Sequence, residues 1–408
     1  MSLREGSNSL MNSNLSKYVR SSLEDLVGKN LYRELRPLLW SQPGSGKWME
    51  IEGKKFLNLC SNNYLGLSFH PRVMEAARQS LQLYGCGSGA SRLICGDLSL
   101  NEKLEERLAA LKGQESALLF NSGYNANLGV ISGLAKPGDV IFSDELNHAS
   151  IIDGCRLSRA AVQVFPHKDM RALETKLKAK SEPGTRRFVV TDAVFSMDGD
   201  LAPLPELVTL AERYDCTLII DEAHATGTIG PGGKGLVAHY GLEKKPLVIM
   251  GTLSKALGCF GAFISGSEEL RKYLINFSRS FIYTTALPPV VLASALEAVA
   301  VLEEEPRLVE KLQNNADYVR EGLRKLGCRV SENPTPIIPL IAGKAERALR
   351  MADLLRQEGL MVTAVRPPTV PEGGSRIRLT VMANHTREEL DFALEAFRKA
   401  GEKIGLDK

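Results

Sequence analysis

Residues 218–224 read Leu-Ile-Ile-Asp-Glu-Ala-His, and residues 248–255 read Val-Ile-Met-Gly-Thr-Leu-Ser-Lys. Each segment begins as a short apolar run, which is typical of a strand buried inside a parallel sheet. The first run ends in Asp221 with His224 three residues later, and the second is followed by Lys255. Because open α/β sheets bind ligands at the carboxyl ends of their strands, the two segments predict an α/β protein with a site at that edge.

The same alternation extends on both sides of these two segments. From about residue 70 to residue 265, short apolar runs alternate with helical periodicity, which predicts β-α units around a mostly parallel sheet. Ser99 and Glu102 have the spacing of a capping box and predict the start of a helix. The predicted strands of this sheet are 117–120, 140–143, 188–191, 218–221 and 248–252.

The pattern changes after the Pro288-Pro289 pair. We expect one long helical stretch over roughly 290–326, followed by a smaller α+β unit whose last helix begins with a second capping box, Thr386-x-x-Glu389. The predicted strands of this unit are 337–341, 361–365 and 376–381, and its predicted helices are 345–358 and 387–404. The chain therefore divides into an N-terminal segment packed on the rest (1–57), a large α/β domain (58–290), and a long helix with a C-terminal α+β domain (291–408).

The composition of the 408 residues is that of a globular protein, with 44% hydrophobic and 24% charged residues. A net charge of +3 gives no reason to expect nucleic acid or a membrane as partner. No apolar run reaches the roughly 18–20 residues of a membrane span. The seven cysteines are dispersed without a C-x-x-C pair, which favours reduced, mostly buried thiols in a cytoplasmic protein.

Several common catalytic motifs are missing from the sequence. No Gly-Lys pair completes a P-loop, and neither H-E-x-x-H nor G-x-S-x-G occurs. The glycine-rich run 85–89 follows a predicted helix instead of a strand, which does not fit a dinucleotide-binding fingerprint. The six histidines show no metal-ligand spacing, so we expect no metal site.

Lys255 and Asp221 together match what pyridoxal 5′-phosphate (PLP) requires of a protein. A lysine forms a Schiff base with the aldehyde of PLP. A carboxylate pairs with the pyridinium nitrogen, so that the ring can act as an electron sink. Neither residue is specific alone, because many strands end in Asp and most loop lysines are solvated. The pair predicts a small-molecule enzyme with PLP as its cofactor.

The rest of the cofactor also has candidate partners. Residues 121–127 follow a predicted strand and open a helix, so Ser122, Gly123 and Tyr124 are placed to offer donors to the phosphate. His148 follows another strand end and can cover one face of the ring. Its alternative interpretation is an ordinary first-turn residue of a surface helix.

Several stretches between about residue 58 and residue 386 resemble the α-oxoamine synthases, a family of PLP enzymes with the type I aspartate-aminotransferase fold. They read NLCSNNYLGLS, GSGASRLICG, FNSGYNAN, LNHASIIDG, VFSMDGDLAPL, DEAHATGTIG, GTLSKALG, FIYTTALPP and RPPTVPEGGSRIRLT. Members condense an amino acid with an acyl-CoA and release carbon dioxide. The resemblance implies a PLP-dependent acyltransferase with a large, mostly parallel-sheet domain and a smaller C-terminal α+β domain. It also implies a homodimer with its sites at the subunit interface.

The resemblance further implies roles for individual residues. Catalysis falls to Lys255, His148 and Asp221. The other residues that it places around the cofactor are Ser122, Gly123, Tyr124 and Thr252 at the phosphate, and Ser196 and His224 near the phenolic oxygen. Those that it places at the substrates, together with His148, are Asn62 and Arg378 for the amino-acid carboxylate and Arg36 and Thr369 for the acyl substrate.

Two arginines are candidates for binding the amino-acid carboxylate. Arg376 and Arg378 alternate on one predicted strand and therefore face the same side. Either suits a carboxylate, because the planar guanidinium can bind both oxygens. The pattern leaves the choice open; the resemblance selects Arg378 and leaves Arg376 as part of a solvated basic strand face.

Within the family, VFSMDGDLAPL, FIYTTALPP and RPPTVPEGGSRIRLT are most similar to the branch that joins L-alanine to a pimeloyl thioester in biotin biosynthesis. The segments 94–96 and NHASIIDG are similar to the branch that joins glycine to acetyl-CoA, which is the alternative substrate pair. Serine palmitoyltransferase and aminolevulinate synthase are more distant. A PLP aminotransferase and a PLP-binding protein without catalysis stay open as functions of another class.

Overall fold

The computed structural model describes residues 12–41, 45–179 and 182–404. Its helices are α1 (Ser13–Gly28), α2 (Pro71–Tyr84), α3 (Ser99–Lys112), α4 (Gly123–Leu134), α5 (Ala149–Ser158), α6 (Met170–Leu177), α7 (Leu204–Arg213), α8 (Leu236–His239), α9 (Glu268–Phe277), α10 (Arg279–Ile282), α11 (Pro289–Glu304), α12 (Arg307–Lys325), α13 (Ala345–Gln357) and α14 (Arg387–Ile404). Its strands are β1 (Leu39–Trp40), β2 (Trp48–Ile51), β3 (Lys54–Asn58), β4 (Ser116–Phe120), β5 (Val140–Asp144), β6 (Ala161–Phe165), β7 (Arg187–Asp192), β8 (Thr217–Asp221), β9 (Leu247–Thr252), β10 (Ala262–Gly266), β11 (Ile337–Gly343), β12 (Leu360–Met361), β13 (Thr363–Val365) and β14 (Ser375–Thr380).

The central sheet has seven strands in the order β4-β10-β9-β8-β7-β5-β6. Strand β10 is antiparallel to both of its neighbours, and the remaining pairs are parallel. The five strands predicted for this sheet form β4, β5, β7, β8 and β9. The prediction of an α/β fold around a mostly parallel sheet is therefore confirmed, whereas β6 and β10 were not predicted.

Both faces of the central sheet are covered by apolar packing. Along β4, Ala117 and Leu119 lie in one buried cluster, whereas Leu118 and Phe120 lie in another. Successive strand residues point to opposite faces, so the two clusters are the two layers between the sheet and its helices. A sheet buried on both faces explains why its strands appear in the sequence as continuous apolar runs.

The helix start predicted at Ser99 is confirmed, but the capping box predicted there and one predicted helix boundary are wrong. Helix α3 begins at Ser99 itself, with Leu98 at the N-cap and no side-chain cap, so Ser99 and Glu102 do not form a capping box. The expected single helix over 290–326 is two helices, α11 and α12, separated at Glu305 and Pro306. Pro306 lacks the N–H that a continuous helix would need at that point, and its ring clashes with the preceding turn.

The second predicted capping box is confirmed at the start of α14. The Thr386 amide donates to Glu389 Oε2 (2.8 Å), and the Glu389 amide donates to Thr386 Oγ1 (3.3 Å). This reciprocal pair satisfies two amides that the helix itself leaves without partners. The same carboxylate also accepts from the Trp48 indole N–H (2.9 Å) and pairs with Lys47 (2.9 Å), so α14 is tied to β2.

Two small sheets join the N-terminal and C-terminal parts of the chain. Strands β11-β14-β13 form an antiparallel sheet on which α13 packs. Strands β1-β2-β3 form a second sheet, whose β3 pairs in parallel with β12. The predicted strand 361–365 is thus divided, with one part in each sheet. The domain limits 1–57, 58–290 and 291–408 stay a prediction.

The structure tests the expectation that the thiols are reduced and mostly buried. All seven cysteines are free. Cys155 and Cys328 are buried, but Cys86 and Cys95 are exposed, so the expectation of mostly buried thiols is wrong for those two.

Across the ranges that the structure describes, no helix combines the length and the apolar character needed to cross a membrane.

Candidate active site

The strands β4, β5, β7, β8 and β9 all end at one edge of the central sheet. The register places Asp221, the last residue of β8, between Asp192 on β7 and Met250 on β9. β4 runs parallel to β9, because both are antiparallel to β10. The segments that follow these strands carry Ser122, Gly123, Tyr124, His148, Ser196, His224 and Lys255.

Lys255 lies in a tight turn after β9, which is closed by a hydrogen bond from the Gly258 amide to the Lys255 carbonyl (2.9 Å). Among the residues that the structure describes, its amine has no hydrogen-bond or ion-pair partner within contact distance. Burial lowers the pKa of Lys255 to about 8, although the nearby carboxylates of Asp221 and Asp192 act in the opposite direction. Only the unprotonated amine is a nucleophile, so this pKa makes Lys255 reactive near neutral pH.

Asp221 is held by two donors at the end of β8. The Ala223 amide donates to Oδ1 (2.8 Å), and Asn127 Nδ2 donates to Oδ2 (2.7 Å). Asn127 lies on α4 and also donates to Ser150 Oγ (2.9 Å), which fixes the orientation of its amide group. The Asp221 side chain is only 4% exposed, so its carboxylate is a fixed acceptor beside Lys255.

Asp192 is the neighbour of Asp221 on β7 and is equally buried, at 3% exposure. The backbone amide of His148 donates to its Oδ2 (2.7 Å). Burial and the adjacent Asp221 carboxylate raise the pKa of Asp192 well above its usual range. Asp192 is therefore the carboxyl at this strand end that is favoured to hold a proton.

His148 caps the first turn of α5. Its Nδ1 accepts from the Ser150 amide (3.2 Å) and lies 2.8 Å from Ser150 Oγ, while the ring itself is exposed. Loss of hydration lowers the pKa of His148. The charge of Asp221 raises this pKa, whereas the charge of Lys255 lowers it. His148 is therefore a residue at the start of a helix, as one interpretation predicted. It also lies near Lys255 and Asp221, where the other interpretation places a ring that covers the cofactor.

His224 belongs to a buried polar cluster that also contains Tyr64, Asn62 and Arg378. Tyr64 Oη lies 2.7 Å from His224 Nδ1 and 3.1 Å from Asn62 Oδ1. Arg378 Nη2 donates to Asn62 Oδ1 (3.3 Å) and to Tyr64 Oη (3.4 Å). Burial lowers the pKa of His224 well below its usual range, so the ring is neutral. The structure thus brings together Asn62, His224 and Arg378 through a tyrosine that the sequence analysis did not select.

The loop after β7 is tied to the C-terminal sheet by the two arginines of β14. Arg378 Nε donates to the Ser196 carbonyl (2.5 Å), and Arg376 forms an ion pair with Asp198. Arg376 is 6% exposed, so the expectation of a solvated strand face is wrong for it. The two arginines face the same side but have different partners. Arg376 anchors the loop through Asp198, whereas Arg378 lies beside Asn62.

The start of α4 has the chemistry of an anion site. Ser122 is its N-cap and accepts from the Asn125 amide (3.2 Å), whereas the amides of Gly123 and Tyr124 lie in the first turn, where a helix has no carbonyl for them. The Tyr124 hydroxyl donates to Asp153 instead of facing this turn. The buried Thr252 hydroxyl donates to the Gly261 carbonyl (3.0 Å).

Arg36 and Thr369 lie outside this group of contacts. Arg36 is exposed in a groove with Glu52 and with Asp353 and Arg356 of α13, none of which contacts the residues around Lys255. Thr369 is exposed in the segment 366–369, which Arg366 ties to the Asn30 carbonyl. Their roles toward an acyl substrate stay predictions.

Three residues of the site were missed by sequence reasoning: Tyr64, Asn127 and Asp192. Each stands inside or next to a segment that was selected: Tyr64 two residues after Asn62, Asn127 at the end of 121–127, and Asp192 directly after the predicted strand 188–191. The general signal that a polar residue follows a buried strand could have found Asp192. Nothing local distinguishes Tyr64 from a core aromatic residue.

A buried ion pair supports the strand end that carries Asp221. Lys112 Nζ donates to Glu222 Oε2 (2.6 Å) and to Thr226 Oγ1 (2.7 Å), and both charged side chains are at most 1% exposed. The Val237 amide donates to the other oxygen of Glu222 (2.8 Å). The segment that directly follows Asp221 is therefore held in place by a buried cation and a backbone amide.

We predict that Lys112→Met lowers the free energy of unfolding by about 3–5 kcal/mol, because it leaves the Glu222 carboxylate buried without its cation. Urea unfolding of the purified protein measures this loss. The matched control is Lys245→Met, which removes an exposed pair with Glu212 and is expected to cost about 0–1 kcal/mol. Equal losses in the two variants would contradict the prediction.

The residues at this edge fit PLP. They supply a reactive amine, a fixed carboxylate, two neutral imidazoles, which follow β5 and β8, and first-turn amides for a phosphate. The chemistry of these donors matches the aldehyde, the ring nitrogen, the phenolic oxygen and the phosphate of the cofactor.

Comparison with known proteins agrees with this chemistry. The family model for aminotransferase class I and II matches residues 54–397. The 8-amino-7-oxononanoate synthase of Thermoanaerobacter pseudethanolicus is 44% identical over 95% of this chain and 98% of its own length. That of Citrifermentans bemidjiense is 47% identical over 94% of this chain and 98% of its own length.

Solved structures give the same result. The serine palmitoyltransferase of S. paucimobilis with bound PLP–myriocin is 31% identical, covers 98% of this chain and 100% of its own, and has a TM-score of 0.90. The 8-amino-7-oxononanoate synthase of Francisella tularensis is 30% identical, covers 85% of this chain and 98% of its own, and has a TM-score of 0.74. With its fold, its reactive lysine and these relatives, the chain belongs to the aminotransferase class I and II family and, within it, to the α-oxoamine synthases, PLP enzymes of the type I fold.

Proposed function

We propose that this chain is an 8-amino-7-oxononanoate synthase, which condenses L-alanine with pimeloyl-CoA and releases carbon dioxide and CoA. The observation that carries this proposal is that the Asp221 carboxylate and the Arg378 guanidinium both lie close enough to the Lys255 amine for their charges to act on its pKa. An amino acid whose carboxylate is bound by Arg378 is thereby held beside a reactive amine. The names of relatives at 44–47% identity support alanine and a pimeloyl thioester as the substrates.

In this proposal the cofactor is held from several sides. Lys255 would hold its aldehyde, Asp221 would pair with its ring nitrogen, and His148 would cover one face of the ring. The phosphate is bound at the start of α4 by Ser122, Gly123 and Tyr124, with Thr252 from β9, and the phenolic oxygen is bound by Ser196 and His224. When bound, PLP supplies a pyridinium ring that stabilises negative charge at the α-carbon of the amino acid.

The residues of the chain then divide the work on alanine. Arg378 and Asn62 bind its carboxylate, for which a guanidinium offers two parallel N–H groups. The Lys255 amine would take the proton from the α-carbon, since its lowered pKa matches a general base near neutral pH. The α-carbon would then bond to the thioester carbonyl carbon, and CoA would leave as a thiolate that takes a proton from water. After the carboxylate is lost as carbon dioxide, the α-carbon would take back the proton held by Lys255.

We assign the acyl substrate to the side of the site formed by the N-terminal segment and residues 366–369. Arg36 and Thr369 are both exposed and contribute one cation and one hydroxyl. Arg366 ties these two segments together through the Asn30 carbonyl. A pimeloyl chain ends in a carboxylate, which an arginine binds well.

We further propose that the enzyme is a homodimer with its sites at the interface. Ile94 and Tyr283 are large apolar side chains that are 79% and 72% exposed. They lie on neighbouring segments, because the Ala286 amide donates to the Ala90 carbonyl (2.9 Å), and Asn121 contacts Thr284 (3.2 Å) just before α4. An apolar surface beside the phosphate site is suited to a second copy of the chain, and light scattering of the purified protein tests this.

The substrate pair is tested by steady-state assays that combine alanine or glycine with pimeloyl-CoA or acetyl-CoA. We expect the highest kcat/KM for alanine with pimeloyl-CoA, with alanine preferred to glycine by about 10–200-fold, the range that one methyl group provides in an apolar pocket. A preference for glycine and acetyl-CoA would instead identify the glycine C-acetyltransferase branch. Formation of a 2-oxo acid without acyl transfer would identify an aminotransferase.

A further inference from the structure

Tyr64 stands at the centre of the polar cluster around His224, although it has no role in the proposed function so far. Its side chain is fully buried, at 0% exposure. The hydroxyl oxygen lies 2.7 Å from His224 Nδ1, 3.1 Å from Asn62 Oδ1 and 3.4 Å from Arg378 Nη2. The phenol has one proton to donate, and its candidate acceptors are His224 Nδ1 and Asn62 Oδ1, so the position of that proton determines the hydrogen bonds of the whole cluster.

The protonation states of the cluster are set by burial. Burial raises the pKa of Tyr64 and lowers the pKa of His224 well below its usual range. The phenol is therefore protonated and the imidazole is neutral. A neutral imidazole carries one N–H and one acceptor nitrogen, and which nitrogen is which depends on the partner of Nδ1.

Arg378 limits where the phenolic proton can go. A guanidinium only donates, and Nη2 lies within 3.4 Å of both the Asn62 and the Tyr64 oxygen. Asn62 Oδ1 is already served by Arg378 through both Nη atoms (3.4 and 3.3 Å). The phenolic proton is then directed to the nearest acceptor, which is His224 Nδ1.

We propose that Tyr64 is a positioning residue that holds His224 as its Nε2–H tautomer, so that this N–H is available to donate to the phenolic oxygen of bound PLP. This inference rests on the proposed function, because it needs the cofactor that the proposed function places at this site. The opposite tautomer would turn a lone pair of Nε2 toward an oxygen that also carries lone pairs. Among the described residues, His224 Nε2 has no hydrogen-bond partner, which leaves it free for this contact.

The tautomer can be measured directly in the native protein. In protein labelled with ¹⁵N-histidine, the Nδ1 and Nε2 shifts of His224 distinguish the two tautomers, and loss of the signal in His224→Gln assigns it. We expect the Nε2–H tautomer both before and after loading with PLP, since the contact with Tyr64 does not depend on the cofactor. An Nδ1–H tautomer in the wild-type protein overturns the proposal.

Tyr64→Phe removes the hydroxyl and keeps the ring. In the PLP-loaded variant, we expect the pH midpoint of the change in visible absorption to rise by about one unit, since the phenolic oxygen loses a donor and holds the neighbouring proton more tightly. We expect kcat to fall about tenfold with KM for alanine within about threefold of wild type. Tyr214→Phe, which removes a hydroxyl bonded to Glu174 (3.0 Å) on α6, is the matched control and is expected to leave the midpoint unchanged.

An unchanged midpoint in folded Tyr64→Phe, or the same shift in Tyr214→Phe, would refute the positioning role. Neither the tautomer nor the midpoint requires an acyl donor, so both can be read in a protein that fails to condense alanine with pimeloyl-CoA. Failure of the proposed substrates and failure of this inference are thereby separate results.

Discussion

Replacing Lys255 with alanine is expected to lower kcat for the condensation of alanine with pimeloyl-CoA by about 10⁴-fold or more, which is the largest effect expected of any single substitution in this chain. The variant loses both the nucleophile that attaches to PLP and the base that takes the α-proton. The two imidazoles of the described site do not replace it, because the Nδ1 atoms of His148 and His224 are already engaged. Steady-state kinetics measures the loss.

Mass spectrometry after borohydride reduction gives the second measurement on the same variant. In the wild-type protein we expect one PLP adduct, on the peptide that contains Lys255, and none on that peptide in Lys255→Ala. Lys272→Ala, which removes an exposed lysine of α9, is the control and is expected to keep both the adduct and the activity. An adduct on another lysine of the wild-type protein would contradict the assignment of Lys255.

The parts of the site that could be predicted from the sequence are those encoded locally. Asp221 and Lys255 each follow an apolar run that is long enough to define a buried strand, and parallel strands bring their ends to one edge. The order of the strands does not have to be known for this argument. The same reasoning correctly placed Ser122 at the start of α4, because strand, turn and helix follow one another within a few residues.

The parts that could not be predicted are contacts between distant residues. Tyr64 and His224 are 160 positions apart, and Asn127 and Asp221 are 94 positions apart. A tyrosine in an apolar stretch and an asparagine in a helix have many possible surroundings, so the sequence offers no reason to select them. Arg376 shows the same limit, since its partner Asp198 lies 178 positions away on a loop whose course depends on the whole sheet.

The missed strands have a different physical cause. β6 is the edge strand of the central sheet, and Val162 and Val164 are exposed on it, so its pattern does not resemble a strand buried on both faces. β10 has a glycine directly before it and another at its end, and glycines weaken a strand signal. By contrast, the break between α11 and α12 had a local signal in Pro306, because a proline inside a predicted helix ends or kinks it.

Replacing Asp221 with asparagine is expected to lower kcat by about 10³-fold, whereas replacing its neighbour Asp192 with asparagine is expected to lower it less than about tenfold. The two carboxyls lie side by side on the neighbouring strands β7 and β8. Replacing an aspartate with an asparagine changes the shape of the side chain equally little at both positions. Asp221 has to be charged to keep the ring nitrogen of PLP protonated, so an amide removes the electron sink. Asp192 is already neutral, because burial and Asp221 raise its pKa, and an amide oxygen can still accept from the His148 amide.

The comparison separates charge from hydrogen bonding, since both asparagines keep an acceptor and only one removes a charge. Kinetics and the visible absorption of the PLP-loaded variants measure the difference, and melting temperatures show whether either substitution disturbs the sheet edge. Asp192→Ala extends the test: it removes the acceptor of the His148 amide and is expected to lose more activity than Asp192→Asn. Equal losses in Asp221→Asn and Asp192→Asn would mean that the pair shares its charge, and the assignment of the proton to Asp192 would then be wrong.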